Sequence, residues 1–486
     1  MTFAGTVGAD ETNQYIVTTK ARNTEARLES AGFTVEAVLA DGDVLIVSGS
    51  KDPSGIRGVN EVIRDARFTL DGPVYQEGIE EIESDTEEET LYPLQWDKHV
   101  TNVAEAHETA TGDGTTIAII DTGIDLDHPD LQPNVVPGAL FRRIAGRGDD
   151  VVDELDDGLF QGLTDVRVPK DPEFDEVEDF EGNIVGYDPG DFEIEEWDAS
   201  DDVHAHGSHV AGIAAASVGE PVAGWGTGIA GTAPDATVIP HRVFFWELRK
   251  VTYEQEEDEE VTEELVVLST TTADILAAID FAGSKLGVDA MNMSIGTPPL
   301  PPWFNREGFR QAYRLVIQHA VNEGSVVVVS AGNSDTELNK GGVFTVPNSV
   351  PGAMSIGATG PNDKRTFYSN YGANELSLAA PGGGYETLEK TFAQDTEWPF
   401  PSNLVLSTTP LDIAGALYAY FAGTSMAAPQ VVGAAALLAG MDENLNPHQI
   451  ETILEQTAET ATGTDRRELG AGRLDVKAAV EDVENE

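Results

Sequence analysis

Three segments of the chain each present a polar side chain that could take part in acyl transfer. Ser425 follows a glycine and other small residues and opens an alanine-rich stretch, which is how a chain exposes a nucleophilic hydroxyl. Asp121 ends an apolar strand pattern that begins at Thr115, and His206 stands where a helix is expected to begin. A serine hydroxyl is a poor nucleophile at neutral pH, so a base must take its proton and a carboxylate must orient that base. Nucleophile, base and carboxylate are all present.

The three segments resemble the motifs of the subtilisin-like serine peptidases. The matching motifs are DTG at 121–123, HGSHVAG at 206–212 and GTSMAAP at 423–429. They follow the family's order along the chain, whereas chymotrypsin-like enzymes and α/β-hydrolases use other orders. The resemblance covers most of residues 93–483. It implies a serine endopeptidase that works through an acyl-enzyme intermediate, with Asp121, His206 and Ser425 as its catalytic triad.

His204, His209 and the Asp-Thr-Gly segment allow other assignments of the base and the carboxylate. The family motif places the base at His206, so His209 is expected to be a packing or hydrogen-bonding residue and His204 a loop residue. The Asp-Thr-Gly segment could suggest an aspartic peptidase. That chemistry needs two carboxylates that share a proton, and no second Asp-Thr/Ser-Gly segment occurs in the chain.

A tetrahedral intermediate also needs hydrogen-bond donors for its oxyanion. The segment SAGN at 330–333 follows an apolar strand pattern and resembles the family block whose Asn side chain supplies one donor. The resemblance therefore implies that Asn333 lies in the oxyanion hole.

The resemblance also implies a substrate-binding cleft. Its residues are Ser294, Ile295, Gly296, Gly332 and Thr345. The first three match the segment that pairs with the substrate backbone, Gly332 lies on the opposite wall of the S1 pocket, and Thr345 is placed at its floor. Because no fixed charge is expected there, we predict broad specificity with apolar or medium-sized P1 side chains.

The chemistry needs no cofactor, but a structural calcium ion is an open expectation. Asp130, within HPDL at 128–131, resembles the family residue that binds calcium. The partner loop at 217–231 lacks the family's Asn ligand in recognisable form.

The composition indicates a folded protein with an extremely acidic surface. The chain has 28 Lys and Arg against 86 Asp and Glu, a formal charge of -58, and 40% hydrophobic residues. Such a surface disfavours nucleic acid and anionic membranes as partners. Only ten of the basic residues are Lys. High salt would screen the self-repulsion, so we predict a halophilic protein.

Other sequence features bear on location and partners. There are no cysteines, so no disulfide is available, and no membrane span is expected. The first ten residues show no complete signal peptide. The resemblance favours an extracellular enzyme with an export signal that is not visible, and a cytoplasmic protein is the alternative. We expect a monomer that acts on proteins or peptides.

Residues 1–75 are predicted to form a small α+β domain. Strand and helix patterns alternate as βαββαβ, with a second helix that opens at Pro53 and carries Ile56, Val59, Val62 and Ile63 on one face. This resembles the inhibitor-type propeptide of secreted subtilisin-like enzymes, which blocks the cleft intramolecularly. An unrelated ferredoxin-like module is the alternative.

The rest of the chain divides into a linker and a large domain. Residues 76–92 are an acidic linker, expected to be solvated and to hold the processing site. Residues 93–486 are predicted to be the peptidase domain, with acidic insertions near 141–185 and 247–266. Both insertions are expected to be solvated surface segments, the second a charged hairpin, with cation binding or substrate steering as alternatives.

Within the large domain, apolar strands alternate with helices, which predicts an α/β fold with a doubly wound, mostly parallel sheet in three layers. The predicted strands are 115–121, 237–243, 290–294, 325–330 and 353–358, and the predicted helices follow His206, span 272–284 and 305–323, and follow Ser425.

Two other functions are compatible with this fold class. A catalytically silent binding protein on this fold would need a lost triad residue, and all three are present. A processing enzyme for basic sites, as in kexin-like enzymes, would use the acidic loops around its cleft. A preference for Arg or Lys at P1 would favour that enzyme.

Overall fold

The fold is seen in a computed structural model. It describes residues 8–9, 14–70, 75–78, 91–142, 163–170, 174–180, 184–217, 228–256, 259–302, 304, 308–393, 400–460 and 465–485.

The strands are numbered along the chain. They are Gly8–Ala9 (β1), Gln14–Thr19 (β2), Thr34–Leu39 (β3), Val44–Ser48 (β4), Val59–Arg64 (β5), Ala66–Thr69 (β6), Tyr75–Gly78 (β7), Thr116–Asp121 (β8), Ala139–Leu140 (β9), Leu163–Pro169 (β10), Glu176–Glu178 (β11), Ile184–Tyr187 (β12), Phe192–Asp198 (β13), Thr237–Arg242 (β14), Phe245–Glu256 (β15), Glu259–Thr271 (β16), Ala290–Met293 (β17), Val326–Ser330 (β18), Ala353–Thr359 (β19), Leu378–Pro381 (β20), Val405–Thr408 (β21) and Tyr418–Ala422 (β22).

The α-helices are numbered in the same way. They are Thr24–Ser30 (α1), Trp96–Val100 (α2), Val103–Ala106 (α3), His206–Ala215 (α4), Thr272–Asp280 (α5), Phe309–Asn322 (α6), Leu388–Thr391 (α7), Leu411–Ala414 (α8), Thr424–Met441 (α9), Pro447–Thr457 (α10), Arg466–Leu469 (α11) and Val476–Asn485 (α12). A π-helical turn at Phe281–Leu286 extends α5.

The central sheet has seven strands in the order β20-β19-β18-β17-β8-β14-β9. Every neighbouring pair is parallel. The five strands predicted from sequence lie in this sheet, each within one residue of its predicted bounds. The predicted α/β fold with a parallel sheet is therefore confirmed.

Strand β8 shows why the sheet strands are apolar along their whole length. Ile117 and Ile119 pack into one hydrophobic core, whereas Ala118 and Ile120 pack into the other. Helices α4 and α9 contribute to the first core, and helices α5 and α6 to the second. A strand covered on both faces cannot alternate polar and apolar residues. The sheet thus holds Asp121, at the end of β8, between two helical layers.

Helix α9 crosses the middle of the first core. It is long and apolar enough to cross a membrane, but 83% of it is buried inside the fold. Its apolar composition therefore reflects burial on all sides. The helix begins at Thr424, so the core fixes the position of Ser425.

The N-terminal unit is an antiparallel sheet in the order β3-β4-β2-β5 with helix α1. Its own small core contains Val17, Leu28, Leu45 and Val47. The unit is α+β as predicted. The domain bounds given above stay predictions.

The predicted second helix of this unit is wrong. Only Pro53–Gly55 is helical, as a short 3-10 turn, and Val59–Arg64 forms strand β5 beside β2. Val59, Val62 and Ile63 fit helical spacing, but they are β-branched and favour a strand when a sheet edge is available. The βαββαβ order of a ferredoxin-like module therefore does not apply.

Two strands connect the N-terminal unit to the large domain. Strand β6 pairs with β16, and β7 pairs with β22. The expectation of a solvated linker is therefore wrong for residues 76–78, whose backbone lies in a sheet, because β22 offers an unfilled edge to an extended segment. Residues 79–90, which hold most of the acidic run, lie outside the described residues.

The acidic insertions are more ordered than predicted. The expected hairpin is present as β15 and β16, and β10 pairs with β13 in the first insertion. Four aromatic rings pack together beneath them, from Phe174, Tyr187, Phe192 and Trp246, with Phe174 and Tyr187 centroids 4.6 Å apart. Solvated loops are therefore the wrong description of these parts, because apolar side chains between the carboxylates supply a core. Residues 143–162, 171–173 and 181–183 lie outside the described residues.

Candidate active site

Asp121 and His206 form a buried pair at the carboxyl end of the central sheet. Strand β8 ends at Asp121, and helix α4 begins at His206. The imidazole Nδ1 lies 2.8 Å from Oδ1 of Asp121, and both side chains are fully buried. The same Oδ1 accepts the backbone N–H of Thr122 at 2.8 Å. This contact places the imidazole proton on Nδ1 and the lone pair on Nε2, as a general base requires.

Ser425 lies in the first turn of α9, directly after strand β22. Its Oγ donates to the backbone carbonyl of Ser294 at 3.2 Å, and its own carbonyl accepts from Oγ of Ser294 at 2.8 Å. The ring of His209, one turn into α4, stacks on Phe421 with centroids 4.1 Å apart. The start of α4 is thereby packed against the end of β22, the strand that leads into Ser425. A catalytic contact between His206 and Ser425 stays a prediction.

Asp202 is a site residue that sequence reasoning missed. Its carboxylate is fully buried and accepts five hydrogen bonds. Oδ1 accepts from the Thr122 hydroxyl at 2.7 Å and from the backbone N–H groups of His204 and Ala205 at 2.9 and 3.1 Å. Oδ2 accepts from the backbone N–H and the hydroxyl of Ser208 at 2.8 and 2.6 Å. The carboxylate therefore ties the end of β8 to the turn that presents the imidazole.

That turn is strained, which explains why it needs a strong anchor. Ala205, directly before His206, has a φ of 85°, which residues with a side chain rarely adopt. Because both backbone N–H groups before the imidazole are bound to one carboxylate, the strained conformation is held in place.

Asn333 is oriented by the nucleophile's own turn. Its Oδ1 accepts from the backbone N–H and the hydroxyl of Thr424, at 2.9 and 2.8 Å. Because the oxygen is fixed in this way, Nδ2 is directed toward Gly423. It lies 3.5 Å from the position that a Cβ atom on this glycine would occupy. The amide nitrogen thus lies near the turn that carries Ser425. Its role as an oxyanion donor stays a prediction.

Asn370 supports the loop that carries Asn333, and sequence reasoning missed it too. Its Nδ2 donates to the carbonyl of Ala331 at 2.8 Å, and its Oδ1 accepts from the backbone N–H groups of Ser334 and Thr336. Gly332 has a φ of 95°, and a Cβ there would lie 2.6 Å from Nδ2 of Asn370. Only glycine fits this wall.

The other predicted substrate-binding residues lie along one edge. Ser294 contacts Ser425 directly, and Ile295 is buried beside it. A Cβ on Gly296 would meet only the carbonyl of Val346, at 3.7 Å, so this position leaves open space. Thr345 is buried next to Val346, which bonds back to Thr297. These positions agree with the predicted cleft, while their roles in substrate binding stay predictions.

Burial sets the protonation state of the neighbouring groups. It lowers the pKa of His209 to about 3 and that of His204, which also lies near His206, to about 4. Both rings are therefore neutral at working pH. Burial also raises the pKa of Asp125 to about 6 and that of Asp201 to about 7, with nearby carboxylates acting in the same direction. Partial protonation of these acids limits the negative charge of the cluster that they form with Asp202.

Asp130 is buried, and protein donors surround its carboxylate. Oδ2 accepts from the backbone N–H of Ile229 at 2.9 Å and from the hydroxyl of Tyr418 at 3.0 Å. Among the described residues, no group of three or more His, Cys, Asp or Glu could hold a metal ion. Calcium usually takes six to eight oxygen ligands, so the described side chains alone do not form its site. The facing loop at 218–227 lies outside the described residues, and calcium stays a prediction.

Comparison with known proteins identifies the family. The model of the Subtilase family of S8 peptidases matches residues 112–472, most of the chain. The chain belongs to the subtilase family. The match spans the whole segment that contains Asp121, His206, Asn333 and Ser425.

Individual subtilases differ in how much of their length this chain covers. The chain is 31% identical over 384 residues to the extracellular basic protease of Dichelobacter nodosus, covering 77% of this chain and 51% of that one. Thermitase of Thermoactinomyces vulgaris is 28% identical over 380 residues, 78% of this chain and 92% of that one. The chain thus spans about half the length of the first of these relatives.

Among solved subtilase structures, the epidermin leader peptide processing serine protease of Staphylococcus aureus has a TM-score of 0.64. The two are 20% identical, and the alignment covers 98% of this chain and 99% of that one. This likeness supports the fold across nearly the whole chain, including the N-terminal unit.

Proposed function

We propose that this subtilase is a serine endopeptidase that hydrolyses peptide bonds in proteins through Asp121, His206 and Ser425. The observation that carries the proposal is the buried Asp121–His206 pair at 2.8 Å, beside a serine whose turn also orients Asn333. A binding protein would have no need for this arrangement of base and oxyanion donor.

In the proposed reaction the Ser425 hydroxyl turns from the Ser294 carbonyl toward the imidazole. Oγ attacks the substrate carbonyl carbon while Nε2 of His206 takes the proton, and Asp121 stabilises the imidazolium that forms. Asn333 and the Ser425 backbone N–H stabilise the oxyanion. The C–N bond then breaks and His206 returns the proton to the leaving amine. Water, activated by the same imidazole, hydrolyses the acyl-enzyme and restores the serine.

Hydrolysis of a protein such as casein in molar salt tests this proposal. The parent should cleave it, and Ser425→Ala should not, although its fold is unchanged. Equal rates of casein hydrolysis for the two proteins would contradict the proposal. A P1 profile measured with the same enzyme should favour apolar or medium-sized residues, whereas a preference for Arg or Lys at P1 would favour a processing enzyme instead.

We further propose that the chain is made as a zymogen and cuts itself between residues 73 and 94. The support is that β6 and β7 run from the N-terminal unit along β16 and then along β22, which leads into Ser425. Self-cleavage predicts that Ser425→Ala stays full length. If that variant matures like the parent, another peptidase does the processing.

Location, oligomeric state and ions complete the proposal. An extracellular location is supported by relatives that carry the word extracellular in their names, and secretion by the native host tests it. We expect a monomer, which size-exclusion chromatography in molar salt checks. Calcium would act on stability alone, so chelation should lower the unfolding temperature and leave kcat unchanged.

A further inference from the structure

Strand β6 of the N-terminal unit lies on the edge of the acidic hairpin as an added strand. Thr69 faces Ser269, Phe68 faces Thr270 and Arg67 faces Thr271. Side chains of a strand alternate between its two faces. Phe68 is buried in the core shared with helices α5 and α6, so Arg67 points to the opposite face, along the hairpin.

Arg67 is buried there against a carboxylate. Its Nη1 donates to Oε1 of Glu247 and lies 3.2 Å from Oγ of Ser269, which also donates to Glu247. Glu247 is 3% exposed. A carboxylate buried to this extent is costly unless a cation or several donors satisfy it. Arg249, a third exposed, lies 3.4 Å from the same oxygen. Glu247 thus forms a small acidic recess that a guanidinium fills.

The segment that follows Arg67 leads toward the nucleophile. Phe68 and Leu70 help to line one apolar pocket together with Ile295 and Gly296, the predicted substrate edge. Further along, β7 pairs with β22, whose last residue is three positions before Ser425. A polypeptide bound along β16 and then along β22 therefore places its more N-terminal residues at the Glu247 recess and its more C-terminal residues near the nucleophile. The recess lies on the N-terminal side of a bond cut at Ser425.

We propose that Glu247, with Ser269, is a specificity site that recognises an arginine of the substrate at the position that Arg67 occupies here. The proposal rests on the peptidase function proposed above, since it requires substrates to take the place of β6 once the N-terminal unit has left. Arg fits better than Lys because a guanidinium is more weakly hydrated than an ammonium and is therefore better suited to a buried ion pair.

This contact differs from steering by the exposed glutamates of the hairpin. Exposed charges are screened over about 3 Å in 1 M salt. A buried, hydrogen-bonded pair is screened much less. The preference for arginine at this position should therefore survive in molar salt.

Peptides that copy residues 62–97, which include the whole interval 73–94 proposed for self-cleavage, test the proposal with Arg, Lys, Gln or Glu at position 67. The matured enzyme should cleave the Arg peptide with a kcat/KM about tenfold or more above that of the Gln peptide, with Lys between them. Glu247→Gln should bring this ratio close to one. The matched control is Glu264→Gln, which removes the same charge from an exposed position of the same hairpin and should keep the ratio.

Each contrary result has a distinct meaning. The first comparison uses one enzyme, the parent, and varies only the peptide. If the parent cleaves the Arg and Gln peptides equally well, the proposed specificity site is overturned. A ratio that survives Glu247→Gln, or that Glu264→Gln removes to the same extent, also overturns it. So does a ratio that disappears in molar salt. If casein is cleaved but no peptide is, the specificity site alone is overturned. If casein is not cleaved either, the peptidase proposal fails and this one fails with it.

Discussion

Replacing Asp202 by asparagine should slow catalysis although Asp202 touches no reacting atom. Asparagine can keep an oxygen for the three donors on Oδ1, from Thr122, His204 and Ala205. It must turn an NH2 group toward the N–H and hydroxyl of Ser208, the two donors on Oδ2. A hydrogen bond to a charged group contributes about 1.5–3 kcal/mol, so loss of two should destabilise the protein by about 3–6 kcal/mol. The lost hydrogen bonds are among those that hold the turn before His206 in place.

The catalytic effect follows from that displacement. A shift of the base by about 1 Å costs roughly 10²-fold in rate, so kcat should fall by about that factor while KM changes little. Steady-state kinetics on a peptide substrate, with urea unfolding at the same salt, separate the two effects. Asp127→Asn is the matched control, since Asp127 is an exposed carboxylate on the adjacent loop and its loss should change neither quantity. A folded Asp202→Asn protein with the parent's kcat would refute the reasoning.

Three further predictions address the oxyanion donor, the buried acids and the surface charge. Asn333→Ala should lower kcat by about 10²-fold or more with little change in KM, because its contact forms mainly in the transition state; a pure KM effect would remove Asn333 from the oxyanion hole. Burial raises the pKa of Asp201 from 3.8 to about 7, so the folded state binds this proton more tightly than the unfolded state. Stability is therefore lost as the pH rises from about 4 to about 7. Asp201→Asn keeps an acceptor for the Asp202 N–H and should therefore stabilise the protein more at about pH 8 than at about pH 5; an equal gain at both would contradict the raised pKa. With a formal charge of -58, the unfolding temperature should rise steeply between about 0.1 M and about 3 M NaCl, and equal values would count against a halophilic protein.

Local patterns predicted much of the fold and the site. The Asp121, His206 and Ser425 motifs are short and contiguous. The structure pairs Asp121 with His206 and places Ser425 in the first turn of α9. The parallel strands were visible because burial on both faces makes them apolar without alternation. Strand β5 was missed because its residues fit helical spacing, and only the free edge of β2 decides the outcome.

The remaining site residues could not be read from sequence because their roles depend on distant contacts. Asp202 stands in an acidic stretch where nothing marks one carboxylate as the acceptor of five donors. Asn370 binds backbone groups near position 331, 39 residues away. The Arg67–Glu247 contact joins residues 180 positions apart. Charge alone predicted a solvated hairpin, with cation binding or substrate steering as alternatives, whereas the fold shows one buried carboxylate, Glu247, that contacts a defined partner.

Covalent labelling of the nucleophile tests the central claim most directly. A fluorophosphonate reagent forms a bond to a serine that a neighbouring base activates. We expect the matured protein to take up one equivalent on the peptide that contains Ser425 and to lose hydrolysis in proportion. Ser425→Ala and His206→Ala should not be labelled. Complete inactivation with Ser425 unmodified, or hydrolysis that persists after Ser425 is fully labelled, would contradict that claim.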